Sequence, residues 1–245
     1  FERSAASCYT WTALKDLSAL LLLLSACSGG DNPAAPAALL WARSADSGTL
    51  DPAEVEWGED AKVVENLYEG LTGFKSGSVE IEPRLAERWT SSADGLTTTF
   101  ELRSGVRFHD GTPLDSAAVV YSLNRLIDPA HPQRSKIPPP YGGNYSDIDR
   151  VEADGPARVV VRLKRPSALL LQNLAVFSAC IVSPAAVNHA GADFPRRPVG
   201  TGPYKLTLWE PDLRIVLDRF DGYWGRKPDF PRVIVLPVKS PQTAV

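Results

Sequence analysis

The sequence predicts a mixed fold, α/β with α+β character, in which helices and short strands share layers. Three observations predict it. Apolar and polar residues alternate with period two at Thr98–Arg103, Ile148–Ala153 and Val159–Leu163, the pattern of half-buried strands. Apolar residues recur at three and four in Glu59–Leu71 and Ser116–Leu126, the pattern of amphipathic helices. The two kinds of segment are interleaved without a strict strand–helix–strand alternation, which disfavours a purely parallel sheet.

Taken in order, Leu39–Arg43 is a short apolar run that predicts a buried strand, and Ser44-Ala45-Asp46-Ser47-Gly48 ends it as a turn-forming loop. The helix from Glu59 to Leu71 closes near Gly73. Val79–Glu82 and Thr98–Arg103 predict antiparallel strands about the turn Ala93-Asp94-Gly95. Asp115 is the expected N-cap of the helix from Ser116 to Leu126, with Asp128-Pro129 after its end. The Pro-, Gly- and Tyr-rich stretch from His131 to Asn144 predicts a long surface loop. A second hairpin turns at Asp154-Gly155, and Ala168–Ala175, Ala179–Val182 and Pro184–Ala190 read as helix, buried strand and helix. Tyr204–Leu208, Leu213–Leu217 and Val233–Val238 complete the strands.

Composition excludes several function classes. Hydrophobic residues at 44% and charged residues at 22% over 245 residues describe a globular chain and exclude a disordered tail or continuous coiled coil. A net charge of −3 supplies no basic field, so no nucleic-acid partner is expected. The three cysteines, Cys8, Cys27 and Cys180, form no CxxC pair and have no histidine spaced to complete a zinc site, so neither a metal nor a cofactor is expected. There is no G-x-S-x-G elbow, H-E-x-x-H or phosphate-cradling loop. His109 beside Asp110 reads as a turn residue, and the pairs Glu80 with Glu82 and Asp147 with Asp149 read as solvated strand faces. No catalytic residues are assigned.

The N-terminal stretch carries a different signal. Leu17–Ala26 is an apolar run too short to span a bilayer, preceded by Lys15 and followed by small residues, the order of a secretory signal. Its end, Leu24-Ser25-Ala26-Cys27, matches a lipobox, in which the Cys27 thiol is the nucleophile that takes the lipid. Residues 1–26 are therefore read as signal peptide, and 27–37, rich in Ser, Gly, Asp, Asn, Pro and Ala, as the tether of a lipid-anchored chain. With Cys27 lipidated and Cys8 removed, Cys180 remains alone, an inert buried thiol without an internal disulfide. The chain contains no Met, even at position 1, so a longer reading frame is expected.

Six segments together resemble a known family. They are Leu50-Asp51-Pro52, Leu67-Tyr68-Glu69-Gly70-Leu71, Pro83-Arg84-Leu85-Ala86-Glu87-Arg88-Trp89, Phe108-His109-Asp110-Gly111-Thr112-Pro113-Leu114, Val199-Gly200-Thr201-Gly202-Pro203-Tyr204-Lys205-Leu206 and Gly222-Tyr223-Trp224. In this order they resemble the extracytoplasmic solute-binding proteins that include dipeptide, oligopeptide and nickel receptors of ABC importers. The resemblance implies a two-lobed, type II periplasmic-binding-protein-like fold, of which only the first lobe and an inserted domain are present. Residues 38–70 and 168–245 would form the main domain of that lobe, and 71–167 the insertion. It implies a monomeric receptor, in the periplasm or on the outer face of the cell membrane, that captures peptides or similar small solutes and hands them to a permease without chemistry. Opines, sugars and metal chelates are alternative cargoes; a secreted hydrolase or a sensory binder is the alternative function. The stretch after Leu-Asp-Pro lines the cleft in the oligopeptide receptors, which points to Glu56, Trp57 and Gly58 here, and Tyr141 matches an aromatic that covers the peptide in some relatives. With the opposite wall absent, the chain alone is expected to bind poorly.

Overall fold

Apolar residues placed at every second position of consecutive segments fold back on one another as antiparallel hairpins, and these dominate the first half of the chain. The protein is described from a computed structural model over residues 38–135 and 138–238; the segments read as signal peptide and tether, with Cys27, lie outside the described residues. The elements run β1 (Ala38–Arg43), α1 (Gly58–Leu67), β2 (Thr72–Phe74), β3 (Ile81–Pro83), β4 (Ala86–Ser91), β5 (Thr97–Leu102), α2 (Ser116–Ile127), β6 (Ile148–Ala153) and β7 (Arg158–Leu163). They continue with α3 (Leu170–Leu174), α4 (Pro184–Ala190), β8 (Tyr204–Glu210), β9 (Arg214–Arg219) and β10 (Arg232–Pro237).

One four-stranded sheet has the order β4-β5-β7-β6 and is antiparallel throughout. Its turns are placed by glycines at Gly95 and Gly155, with φ of 68° and 71°, conformations that a Cβ would strain. The inward residues Phe100, Leu102, Val159 and Val161 meet Ala118, Val119, Leu123 and Leu126 of α2, all buried. Removing each large side chain from water contributes about 1.5–3 kcal/mol, which holds α2 on this sheet. The helix starts where the sequence places it, since the Asp115 carboxylate accepts from the Ala118 amide at 2.9 Å.

The other four-stranded sheet has the order β1-β10-β9-β8. β1 and β10 are parallel, with Ala38 opposite Arg232 and Arg43 opposite Pro237, while β10, β9 and β8 are antiparallel neighbours. Leu50, Val55, Val63, Val64, Leu67 and Tyr68 from around α1 pack with Ile215, Leu217, Val233 and Val235 in a second core cluster. A small hairpin of β2 and β3 stands apart from both sheets.

Several local expectations change. The helix α1 ends at Leu67, four residues early, because Tyr68 turns extended and Gly70 passes so close to α3 that a Cβ there would lie 2.6 Å from the Leu174 carbonyl oxygen. β1 is a strand but not a buried one, with Leu39 and Leu40 exposed, because the described residues offer it a partner on one side only. The hairpin partner of β5 is β4, and Ile81–Pro83 pairs instead with β2. Val79, expected in a strand, is exposed in the turn region of that small hairpin. Ala179, Ile181 and Val182 are buried yet form no strand: the Ile181 amide donates to the Glu69 carbonyl at 2.9 Å and the Val182 amide to Ser122 Oγ at 3.1 Å, neither of them in a strand.

Candidate functional site

The segment leading into α1 is fixed by its first residues. Pro52 opens a single-turn helix, Pro52–Glu54, and the Asp51 side chain caps it by accepting from the Ala53 amide at 3.1 Å. Asp51 is fully buried and paired with Arg125 of α2, while Glu54 accepts from Thr49 Oγ1 at 3.2 Å and from the Ser135 hydroxyl. Beyond this anchored base the chain emerges at Glu56, Trp57 and Gly58, all exposed. Trp57 is 69% exposed, so its ring does not pack under the helix. Its carbonyl accepts from the Asp60 and Ala61 amides at 3.0 and 3.2 Å, and its side chain makes no capping bond, which leaves the Gly58 and Glu59 amides without a side-chain cap. Gly58 faces open space.

Tyr141 begins a short helical turn, Gly142–Tyr145, and its ring meets Phe177 edge-on at 5.1 Å. The turn bearing Phe177 (Phe177–Ala179) packs against Pro52–Glu54. The structure therefore brings Tyr141 to the segment that leads into Glu56–Gly58 through Phe177, a residue that sequence reasoning did not select. The aromatic at that position was the available signal.

Phe177 also borders a cavity of about 920 Å³ that opens at the other end of α1, where Glu65, Tyr68, Glu69, Arg84 and Tyr223 line it. Glu69 is its best-held group. Its carboxylate accepts from Tyr223 Oη at 2.9 Å, Thr201 Oγ1 at 3.0 Å and Trp224 Nε1 at 2.8 Å. Burial raises its pKa against the pull of these donors. Cys180 lines the same cavity, and burial with nearby Glu65 and Glu69 pushes its thiol up, so it stays protonated and unreactive. Three motif segments separated in sequence thus meet on one carboxylate.

His109 performs a similar task without charge. Its Nδ1 accepts from the Gly200 amide at 3.3 Å and its Nε2 donates to the Gly202 carbonyl at 3.0 Å, so the ring is neutral and both nitrogens are engaged. Burial pushes its pKa down to about 4. Gly200 and Gly202 allow close contact: a Cβ at Gly200 would lie 2.2 Å from the Leu67 carbonyl oxygen. The carboxylates Glu80, Glu82, Asp147 and Asp149 each pair with a neighbouring Lys or Arg on the surface, as solvated faces do. Among the described residues no group of three or more His, Cys, Asp or Glu is arranged to hold a metal ion, and no helix is long and apolar enough to cross a membrane.

Known proteins resemble this chain in sequence and fold. The glutathione-binding protein GsiB of Escherichia coli K12 is 36% identical over 186 residues, which are 76% of this chain and 34% of GsiB. The chain thus spans about a third of the length of such curated relatives. Among solved structures, the ABC transporter-associated periplasmic binding protein DppA of Helicobacter pylori, in complex with the peptide STSA, superposes with a TM-score of 0.79 at 33% identity, covering 84% of this chain and 44% of DppA. NikZ of Campylobacter jejuni, in complex with Ni(L-His), gives 0.74 at 27% identity over 84% of this chain and 40% of NikZ. Residues 80–245 match the family described as bacterial extracellular solute-binding proteins, family 5 (middle), and the likeness to DppA extends the type II periplasmic-binding-protein fold to the described residues as part of a larger architecture. The chain belongs to the family 5 bacterial extracellular solute-binding proteins.

Proposed function

We propose that the chain supplies one wall of a cleft that captures a small peptide or peptide-like solute for an ABC importer and releases it unchanged. The observation that carries this reading is the placement of an exposed Trp57 and the uncapped start of α1 on a rigidly anchored segment, with the Tyr141–Phe177 pair joined to that segment. Trp57 would cover an apolar side chain of the solute, the Gly58 and Glu59 amides would donate to a solute carbonyl or carboxylate, and Tyr141 would flank it. The relatives support the solute class: GsiB is a glutathione-binding protein and DppA holds STSA. The engagement of both His109 nitrogens by backbone removes the nearest approach to a general base, which weighs against a hydrolase.

In this reading the sheet β4-β5-β7-β6 with α2 is an inserted domain, spanning 71–167, and the sheet β1-β10-β9-β8 belongs to the main domain of the first lobe. The second wall comes from the part of the family's length that the chain does not span. A lipid on Cys27 would hold the receptor at the membrane surface, in the periplasm or on the cell's outer face, beside a permease. Calorimetric titration of the family-length protein with glutathione, dipeptides and tetrapeptides tests the reading. Saturable binding with the solute recovered intact and a more compact particle in small-angle scattering is the expected result; cleavage of the solute, or no change in shape with any of them, overturns it.

A further inference from the structure

Two segments carry the residues assigned above to solute contact, 51–58 and 128–146, and their described residues are mostly irregular backbone. One side chain is bonded to both. Arg125, in the last turn of α2, donates from Nη1 to Asp51 Oδ1 at 2.8 Å and from Nη2 to Asp51 Oδ2, while its Nε donates to the Gln133 carbonyl at 2.8 Å. Asp51 is the cap of the turn before Glu56–Gly58, and Gln133 lies in the segment that leads to Tyr141. Asp51 is 0% exposed and Arg125 5%, with the Phe194 ring 5.6 Å from the guanidinium carbon.

We propose that Arg125 is a positioning residue for solute binding, a planar bracket that sets the register of the Glu56–Gly58 segment against the Tyr141 segment without touching solute. The inference rests on the solute-cleft reading given above. A guanidinium presents its donors in a fixed fork, so the carboxylate and the carbonyl it holds share one rigid frame, and a shift of one segment is passed to the other. Burial opposes the Arg125 charge, but the bond to Asp51 and its charge hold the group above its ordinary pKa, so the bracket does not titrate away. A buried ion pair adds little net stability over well-packed apolar residues of the same volume, so geometry is the better account of why one sits here. The Ser135 hydroxyl on Glu54 ties the same two segments a second time.

The substitution Arg125→Lys separates the two bonds, because an ammonium can meet Asp51 but has no second edge for Gln133. Hydrogen exchange read by mass spectrometry on the 245-residue chain, for wild type, Arg125→Lys and Arg125→Met, follows each segment. In Arg125→Lys, peptides over 51–58 keep their protection, whereas those over 131–135 exchange about tenfold faster, a change worth about 1.4 kcal/mol. In Arg125→Met both segments exchange faster while β5 and β7 hold; if that variant does not fold, Arg125→Lys decides. Unchanged exchange over 131–135 in Arg125→Lys, or equal acceleration across β5 and β7, overturns the proposal. In the family-length protein the same Lys variant should bind peptide about tenfold more weakly, and equal affinity would overturn the role in solute binding. A wild-type protein that binds no peptide refutes the solute reading instead, and the coupling of the two segments is then judged on exchange alone.

Discussion

Each four-stranded sheet pairs two sets of consecutive strands, and the two differ in the pairing that completes them. In β4-β5-β7-β6 two of the three pairings join chain neighbours through short turns, β4 with β5 and β6 with β7, and only β5 with β7 spans a longer connection. In β1-β10-β9-β8 the first described strand pairs in parallel with the last, and the cluster beneath is assembled from segments around α1, α4 and the final strands. The first is a local structure that closes as the chain is read. The second closes only when distant segments arrive, and its joints are buried contacts such as Gly200 on Leu67. Damage should therefore be graded by how far apart in sequence the broken contact lies.

The same substitution placed in each region breaks or upholds this contrast most sharply. Gly200→Ala drives a Cβ to 2.2 Å from the Leu67 carbonyl oxygen and 2.4 Å from the Tyr68 ring, both atoms of a buried joint. The expected loss, in urea unfolding of the 245-residue chain, is about 3 kcal/mol or more. A loss near 1 kcal/mol would mean the joint can open without cost.

His109 spans the regions through the Gly200–Gly202 segment, and it should make the joint sensitive to acid. Its pKa falls from 6.5 to about 4 on folding, so the unfolded chain takes up the proton first. Stability is fully present above about pH 6.5 and is lost as pH falls toward 4, by up to about 3 kcal/mol. His109→Gln should flatten that part of the pH profile of the unfolding midpoint. An unaltered acid slope would place the titration elsewhere.

Gly95→Ala tests the local region. It forces an L-residue to φ 68°, with a Cβ 3.3 Å from Pro166, and should cost about 1–2 kcal/mol while leaving the unfolding of the remaining sheet cooperative. The smallest effect belongs to Trp57→Ala. With the ring 69% exposed, the unfolding free energy should move by less than about 0.5 kcal/mol, measured by the same urea titration, whereas peptide affinity should fall. A large loss of stability would assign Trp57 to packing.

What was legible in the sequence follows the same division. The turns at Asp94-Gly95 and Asp154-Gly155, the Asp115 cap and the Pro184–Ala190 helix each depend on residues a few positions apart, and each was readable. The end of α1 was not, because the stop is set by the close pass of Gly70 to α3 and not by a breaker at Leu67. Nor was the environment of β1, whose apolar residues read as buried although the described residues leave Leu40 64% exposed. At the candidate site the resemblance picked out Glu56, Trp57, Gly58 and Tyr141, and the ring of Phe177 that ties Tyr141 to the anchored segment appeared only in three dimensions.

By itself, then, the sequence determined the family, the mixed class of the fold and the hairpins, since motif order and short-range alternation are properties of neighbours along the chain. Only the tertiary structure decided that Glu69 gathers three motifs, that His109 is a neutral strut, and that Arg125 bonds to both Asp51 and Gln133. The physical reason is that a buried polar group must find its partners wherever the fold delivers them, and the distance along the chain to those partners is written in no local pattern.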